Sequence, residues 1–341
     1  MAGESSTGPG ATALGHGAGD GNVGRVTESP ADLASSVRRG DVRAIARAIT
    51  LVEDGRPEAR ALLAALFPHA GHAFVIGVTG PPGAGKSTLV DRLTAYYRKQ
   101  GKTVGVVAVD PTSPYSGGAI LGDRIRMQAH ATDPGVFIRS MATRGHLGGL
   151  SASTGHVVTV LAAAGKDVIL VETVGVGQDE VEIVGTADVS LVVLVPGQGD
   201  EVQALKAGIM EIADVFVVNK ADRDGVDRVV AEIQSMLGMA GHDQHVPEIV
   251  KTVATADQGT ADLVRAIDAF RTKAVATGLL ERKRRAHVRQ QLEEAVRARV
   301  MAHVWSTVLP AAEVEATIDR LLRREVDPFT VSEAVARRMG L

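Results

Sequence analysis

The chain has 341 residues, a formal net charge of −3, 45% hydrophobic and 23% charged residues, and no cysteine. That length admits one large domain with additions or two domains, and the near-neutral charge gives no basis for nucleic acid or an anionic membrane as main partner. The absence of cysteine excludes disulfides, thiolate zinc sites and cysteine-ligated iron–sulfur clusters, and it fits a reducing cytoplasm.

The first stretch, "MAGESSTGPGATALGHGAGDGNVG", carries eight glycines in 24 residues. It lacks the basic and apolar regions of a signal peptide, and residues 1–29 are expected to form a disordered tail. Residues 30–71 read as helical. Val42, Ile45, Ile49 and Val52 recur at helical spacing, Asp41 suits an N-cap, and Gly40 separates a short helix from a longer one.

Residues 72–277 alternate strand-like apolar runs with helical patterns. Strands are expected at 73–79, 103–109, 136–141, 167–172, 189–195, 214–219 and 247–253. Most are continuous Val/Ile/Ala runs, as strands covered on both faces require. The pattern predicts an α/β fold with a doubly wound, mostly parallel sheet and ligands at the carboxyl ends of its strands. Residues 278–341 turn helical again. Val288, Leu292, Val296, Val300 and Val304 form one stripe, and Val314, Ile318 and Leu321 a second. "DPF" at 327–329 reads as a turn, and "TVSE" at 330–333 as a capping box opening a last helix. No apolar run reaches membrane-spanning length.

The segment "GPPGAGKS", Gly80 to Ser87, matches G-x-x-x-x-G-K-[ST], with an apolar strand before it and a helix after it. Gly80, Pro81, Pro82, Gly83, Ala84, Gly85, Lys86, Ser87 and Thr88 are the nucleotide-binding candidates: the glycines leave room for the chain to curl, so that backbone N–H groups point at phosphate oxygens. Lys86 reaches the β and γ phosphates, and the Ser87 hydroxyl ligates Mg²⁺.

"DVFVVNKAD" ends in Asn219-Lys220-Ala221-Asp222, about 130 residues after the P-loop. This N-K-x-D pattern predicts a guanine site. The Asp222 carboxylate can accept from guanine N1–H and from the 2-amino group. Adenine lacks the 2-amino group and its N1 is an acceptor, which costs roughly 1.5–3 kcal/mol for a charged acceptor left without donors. Asn219 is expected to brace the loops and the Lys220 stem to lie over the base. In "TVATADQG", 252–259, Val253 or Ala254 is a candidate to offer a backbone N–H to the base.

"DVILVETVGVGQDE" occupies the Walker B place, with Glu172 where most GTPases carry Asp. Its carboxylate is expected to hold Mg²⁺ through water, and the Gly175 amide to approach the γ-phosphate. Asp110, closing its strand, and Asp123, in "GGAILGDRIRM", are candidates to approach Mg²⁺ or orient the attacking water. Lys86, Asp123 and Glu172 are therefore the catalytic candidates, and Ser87, Asp110, Asp123 and Glu172 the metal candidates.

The P-loop, the ETVG segment, "AVDPTSPYSGGAILGDRIRM", "MATRGHLGGLS" and "NKAD" appear together and in order. In this the chain resembles the MeaB/ArgK family of P-loop GTPases over about residues 30–340. The resemblance implies a GTPase domain with N-terminal helices and a C-terminal helical dimerisation arm. It implies a homodimer that chaperones an adenosylcobalamin-dependent acyl-CoA mutase, chiefly methylmalonyl-CoA mutase, using GTP to gate cofactor loading and to protect or rescue the enzyme. It also implies a nucleotide-responsive loop at "PGQGDEVQALK", 196–206, with Gln203 and Lys206 as its candidates.

A metal-insertion GTPase and a transport-system ATPase or kinase are the alternatives. His242 and His245 form a close histidine pair, which reads as a surface pair, and a protein-kinase H-R-D-x-x-x-x-N loop is absent. Asp243 and His245 begin a cobalamin-type D-x-H-x-x-G pattern, but Glu248 stands where Gly is needed, so no tightly bound cobalamin is expected. The basic run "ERKRRAHVRQQ", 281–291, reads as a solvated face or protein contact rather than a nucleic-acid site. No chemistry is assigned to Arg144 or His146 in "RGHLGGL".

Overall fold

A computed structural model of the chain describes residues 29–110, 128–130, 132–142, 149–173, 187–197, 212–239 and 246–340. Three helices come first: α1 (Pro30–Arg38), α2 (Val42–Glu53) and α3 (Pro57–Leu66). Ser29, which sequence places in the tail, is the N-cap of α1, its side chain accepting from the Asp32 amide at 3.2 Å. Asp41 caps α2 as expected, accepting from the Ala44 amide at 2.7 Å. Ile45, Ile49 and Val52 are buried, whereas Val42 at the first turn is exposed.

Seven strands follow: β1 (Phe74–Thr79), β2 (Val104–Asp110), β3 (Val136–Ala142), β4 (Val168–Thr173), β5 (Val189–Leu194), β6 (Val215–Asn219) and β7 (Glu248–Thr252). Each lies within one residue of its predicted ends. They form one sheet in the order β3-β2-β4-β1-β5-β6-β7, and every pairing is parallel. The chain therefore reverses its direction of travel across the sheet beside β1, which puts the loop after β1 at a topological switch point.

Side chains alternate between the faces because the strand period is two. On one face, Ile76, Val78, Leu191 and Val193 pack against α4 (Lys86–Lys99) and α7 (Thr260–Ala276). On the other, Val107, Val109, Ile169 and Val171 pack against α5 (Gly149–Ala163) and all three N-terminal helices. Val192, Leu194, Phe216 and Val218 cover α6 (Val226–Met239). The N-terminal segment is thus a layer of the domain core rather than an appendage.

The last part comprises α8 (Leu279–His303), a π-helical turn over Val304–Val308, α9 (Ala311–Leu322) and α10 (Pro328–Arg338). The expected capping box at Thr330 is corrected: α10 starts three residues earlier. Asp327 is its N-cap, accepting from the Phe329 amide at 2.9 Å and the Thr330 amide at 3.0 Å, with Pro328 at the first helical position. A carboxylate followed by proline outcompetes the threonine three residues on.

The basic run at the start of α8 makes contacts within the chain. Arg284 Nε donates to Asp188 Oδ1 at 2.7 Å, and Lys283 pairs with Asp214. These two aspartates stand one residue before β5 and β6. Asp188 also accepts from the Val75 amide at 2.9 Å, and Asp214 from the Ser190 amide at 2.8 Å. Each therefore closes an open amide at the start of a neighbouring strand and anchors α8 to the sheet.

Candidate functional site

The site is built on the turn from β1 into α4. A Cβ built at Gly80 would lie 2.1 Å from the Val193 carbonyl oxygen of β5, and φ there is +144°. Gly85 has φ +90°, and a Cβ there would lie 2.4 Å from Asn219 Nδ2. Glycine is required at both positions, by close approach and by backbone conformation. α4 begins directly after Gly85 with no side chain capping it, so its first-turn amides and the positive end of its dipole face the loop. Lys86 is buried and its ammonium donates to the carbonyls of Gly80 at 2.7 Å and Pro81 at 3.0 Å. The loop thus closes around the cation with its own carbonyls as acceptors.

Ser87 and Glu172 lie side by side. The Ser87 hydroxyl donates to Glu172 Oε1 at 2.6 Å, and both residues are buried. Glu172 sits in β4 in register with Val78 of β1 and Ala108 of β2, at the carboxyl end of the sheet. Next to it, the Thr173 hydroxyl donates to Thr79 Oγ1 at 3.0 Å, tying the ends of β4 and β1 together. Asp110 ends β2 in the adjacent position. Asp123, Gly175, Gln203, Lys206, Arg144, His146, His242 and His245 lie outside the described residues, as do residues 1–28 of the N-terminal tail.

The base end is a braced loop. Asn219 Nδ2 donates to the Ala84 carbonyl at 2.8 Å, while its Oδ1 accepts from the Thr252 hydroxyl at 3.0 Å and the Ala254 amide at 3.1 Å. One buried amide side chain therefore joins the P-loop, β6 and the loop after β7. Lys220 adopts φ +57° and its ammonium donates to the Gly83 carbonyl at 2.7 Å, laying its stem across the mouth of the P-loop. Asp222 follows, exposed. The Val253 amide donates to the Gln258 carbonyl at 3.0 Å, within a one-residue bridge. Ala254 keeps its place beside Asn219, so its amide can face a base only by sharing its proton with that side chain.

Sequence reasoning missed Arg92. From α4, its Nε donates to the Ala254 carbonyl at 2.9 Å and its Nη2 to the Thr255 carbonyl at 3.4 Å. It fixes the base loop to the helix that carries Lys86 and Ser87. Its i+5 spacing from Ser87 is a faint signal at best, because the contact spans 162 residues. Arg92→Ala is expected to weaken GTP binding about tenfold while leaving kcat within about twofold, since two hydrogen bonds to the base loop go and the phosphate end is untouched. Fluorescent-nucleotide titration with single-turnover hydrolysis checks this; a fall in kcat with unchanged binding would refute it.

A parallel sheet with a Gly-rich P-loop at its switch point, a buried Ser–Glu pair beside it and a braced N-K-x-D loop defines the class: a P-loop GTPase domain. Comparison with known proteins places it further. The family described as "Methylmalonyl Co-A mutase-associated GTPase MeaB" matches residues 45–308. GTPase ArgK of Escherichia coli is 38% identical over 289 residues, covering 81% of this chain and 87% of its own. The methylmalonic aciduria type A homolog of Mus musculus, a mitochondrial protein, is 32% identical over 290 residues, 80% of this chain and 70% of its own. A crystal structure of a LAO/AO transport system kinase superposes with TM-score 0.64 at 27% identity, over 92% of this chain and 98% of its own. The chain belongs to the MeaB family of GTPases.

Proposed function

We propose that the chain is a Mg²⁺-dependent GTPase whose nucleotide cycle chaperones an adenosylcobalamin-dependent acyl-CoA mutase, with methylmalonyl-CoA mutase as its client. The observation that supports this most is the pairing of an intact phosphate and base frame with a mutase-associated family match over residues 45–308. In this reading GTP gates cofactor loading and protects or reactivates the mutase in the cytoplasm, while the corrinoid stays on the mutase. Among the described residues no helix is long and apolar enough to cross a membrane.

The buried Ser87 hydroxyl and Glu172 carboxylate form an oxygen-only donor set, which suits a hard divalent cation. They would hold Mg²⁺, Glu172 through water, with Asp110 and Asp123 as further ligands. The ion, when bound, neutralises charge on the β and γ oxygens. The protein's own part is positional. Phosphate oxygens replace the Gly80 and Pro81 carbonyls as acceptors for Lys86, the first-turn amides of α4 orient the chain of phosphates, and Asp123 or Asp110 orients the attacking water. The Gly175 amide and the loop bearing Gln203 and Lys206 respond to the γ-phosphate and pass its loss to the client.

A homodimer joined through the C-terminal arm completes the proposal. Val288, Leu292, Val296 and Val300 are 50%, 63%, 53% and 41% exposed, an apolar stripe along α8 that a second copy would cover. The metal-insertion and transport-kinase alternatives gain no specific observation of their own.

The deciding experiment is GTP and ATP turnover with and without purified methylmalonyl-CoA mutase. The expected result is slow GTP hydrolysis that accelerates when the mutase is added, with ATP inert. GTP turnover indifferent to the mutase would discard the client while leaving the GTPase.

A further inference from the structure

β1 reads Phe74-Val75-Ile76-Gly77-Val78 and β4 reads Val168-Ile169-Leu170-Val171-Glu172, and each strand then ends in threonine. Thr79 and Thr173 are both fully buried. Threonine has the branched shape of valine, with a hydroxyl in place of one methyl. The Thr173 hydroxyl donates to Thr79 Oγ1 at 3.0 Å. The two residues directly follow the paired positions Val78 and Glu172, so this bond ties the carboxyl ends of β1 and β4 side chain to side chain.

Stability alone gives no reason for hydroxyls at these places. A buried hydroxyl gives up its water, and the hydrogen bond gained in return leaves a net benefit close to that of an apolar pair of the same shape. A hydrogen bond does fix something that a contact between methyl groups leaves free, namely the distance and angle between the two side chains. The position of the bond gives that constraint a use. Thr79 directly precedes Gly80, whose carbonyl accepts from Lys86 at 2.7 Å. Thr173 directly follows Glu172, whose carboxylate accepts from Ser87 at 2.6 Å. Successive strand side chains point to opposite faces. Glu172 therefore meets Ser87 on the α4 face, while the threonine pair shares the other face with Ile169 and Val171. The pair thus holds the two strand ends from the side away from Ser87 and acts through the backbone.

We propose that Thr79 and Thr173 are a positioning pair for GTP hydrolysis: their hydrogen bond sets the spacing of the β1 and β4 ends, and with it the placement of Glu172 against Ser87 and Lys86. The inference rests on the GTPase reading of that site and deepens it. Loosening the pair leaves the phosphate and base loops able to bind GTP. It degrades the alignment that the transition state needs, where a small displacement is costly.

The test compares the full-length wild type with Thr79→Val/Thr173→Val, Thr173→Val and Thr173→Ser by GTP turnover, fluorescent-nucleotide titration and thermal melting. Wild-type turnover is read first, because its absence would remove the GTPase reading along with this refinement. The double variant is expected to melt within about 3 °C of the wild type, since both hydroxyls are replaced by groups of the same shape. Its KM and nucleotide affinity should stay within about threefold while kcat falls about tenfold, as for a loss of transition-state alignment alone. Thr173→Val should show the same split, so the outcome does not hang on the double variant folding. Thr173→Ser keeps the hydroxyl and drops a methyl, and its kcat should remain within about twofold of the wild type. A role in packing alone would lower the melting temperature and leave kcat in place. Wild-type kcat in both valine variants, an equal fall of kcat in Thr173→Ser, or a kcat loss matched by the loss of nucleotide affinity would each overturn the proposal while leaving the GTPase.

Discussion

Replacing Lys86 with alanine is expected to lower GTP turnover by at least about 10²–10³-fold, the loss that follows removal of one preorganised donor from developing transition-state charge. The ammonium is buried at the first residue of α4, where the Gly80 and Pro81 carbonyls already aim it into the loop. Little reorganisation is then needed when phosphate oxygens take the place of those carbonyls. The same burial keeps water from screening the charge, so the interaction is stronger than a surface ion pair. Stability should fall as well, because the Gly80 and Pro81 carbonyls each lose a buried donor. Rapid-quench single-turnover hydrolysis, with a thermal melt alongside, measures both quantities. Full activity in the variant would remove the P-loop assignment, and a collapsed melting transition would mean that Lys86 holds the loop closed as well as serving the phosphates.

The sequence made the frame of the site legible because its signals are local. β1, the glycines at 80, 83 and 85, and Lys86–Ser87 are adjacent in the chain. Glu172, next to last in β4, and Asn219, last in β6, each follow a continuous apolar run. Parallel strands buried on both faces are written in such runs, whereas their order in the sheet is seen only in the fold. What stayed hidden involves partners far apart in sequence. Arg92 finds Ala254 only once α4 and the loop after β7 are packed together. Asp188 and Asp214 look like ordinary loop carboxylates, yet they close the amide ends of β1 and β5 and receive Arg284 and Lys283. A basic run that composition reads as a solvated face is in this way partly an internal clamp. The misplaced α10 cap has a local cause: two overlapping cap signals lie three residues apart, and the one followed by proline prevails. Sequence alone does not separate Val253 from Ala254, because their amide partners, the Gln258 carbonyl and Asn219 Oδ1, are set by the fold.

Asp222→Asn is expected to exchange the preferred base rather than simply weaken it. The wild-type carboxylate has two acceptor oxygens and no donor, matching guanine's N1–H and 2-amino group. Asparagine keeps one acceptor and gains a donor. It matches xanthine, which retains N1–H but carries an oxygen in place of the amino group. GTP affinity should therefore fall by about 10–10²-fold, the loss of a charged hydrogen bond plus the clash of two donors, while xanthosine triphosphate should bind at least as tightly as GTP does to the variant. The substitution leaves the frame intact. Asp222 is exposed, and the neighbouring backbone is held independently by the Ala221 amide donating to the Thr252 carbonyl at 3.0 Å and by Lys220 on Gly83. Hydrolysis of whichever nucleotide is bound should proceed at close to the wild-type kcat, because the substitution changes the base contact and leaves Lys86, Ser87 and Glu172 as they are. Competition of GTP and xanthosine triphosphate for a fluorescent nucleotide, read on both proteins, measures the exchange. A variant that still discriminates between them as the wild type does would place the base elsewhere than at Asn219–Asp222.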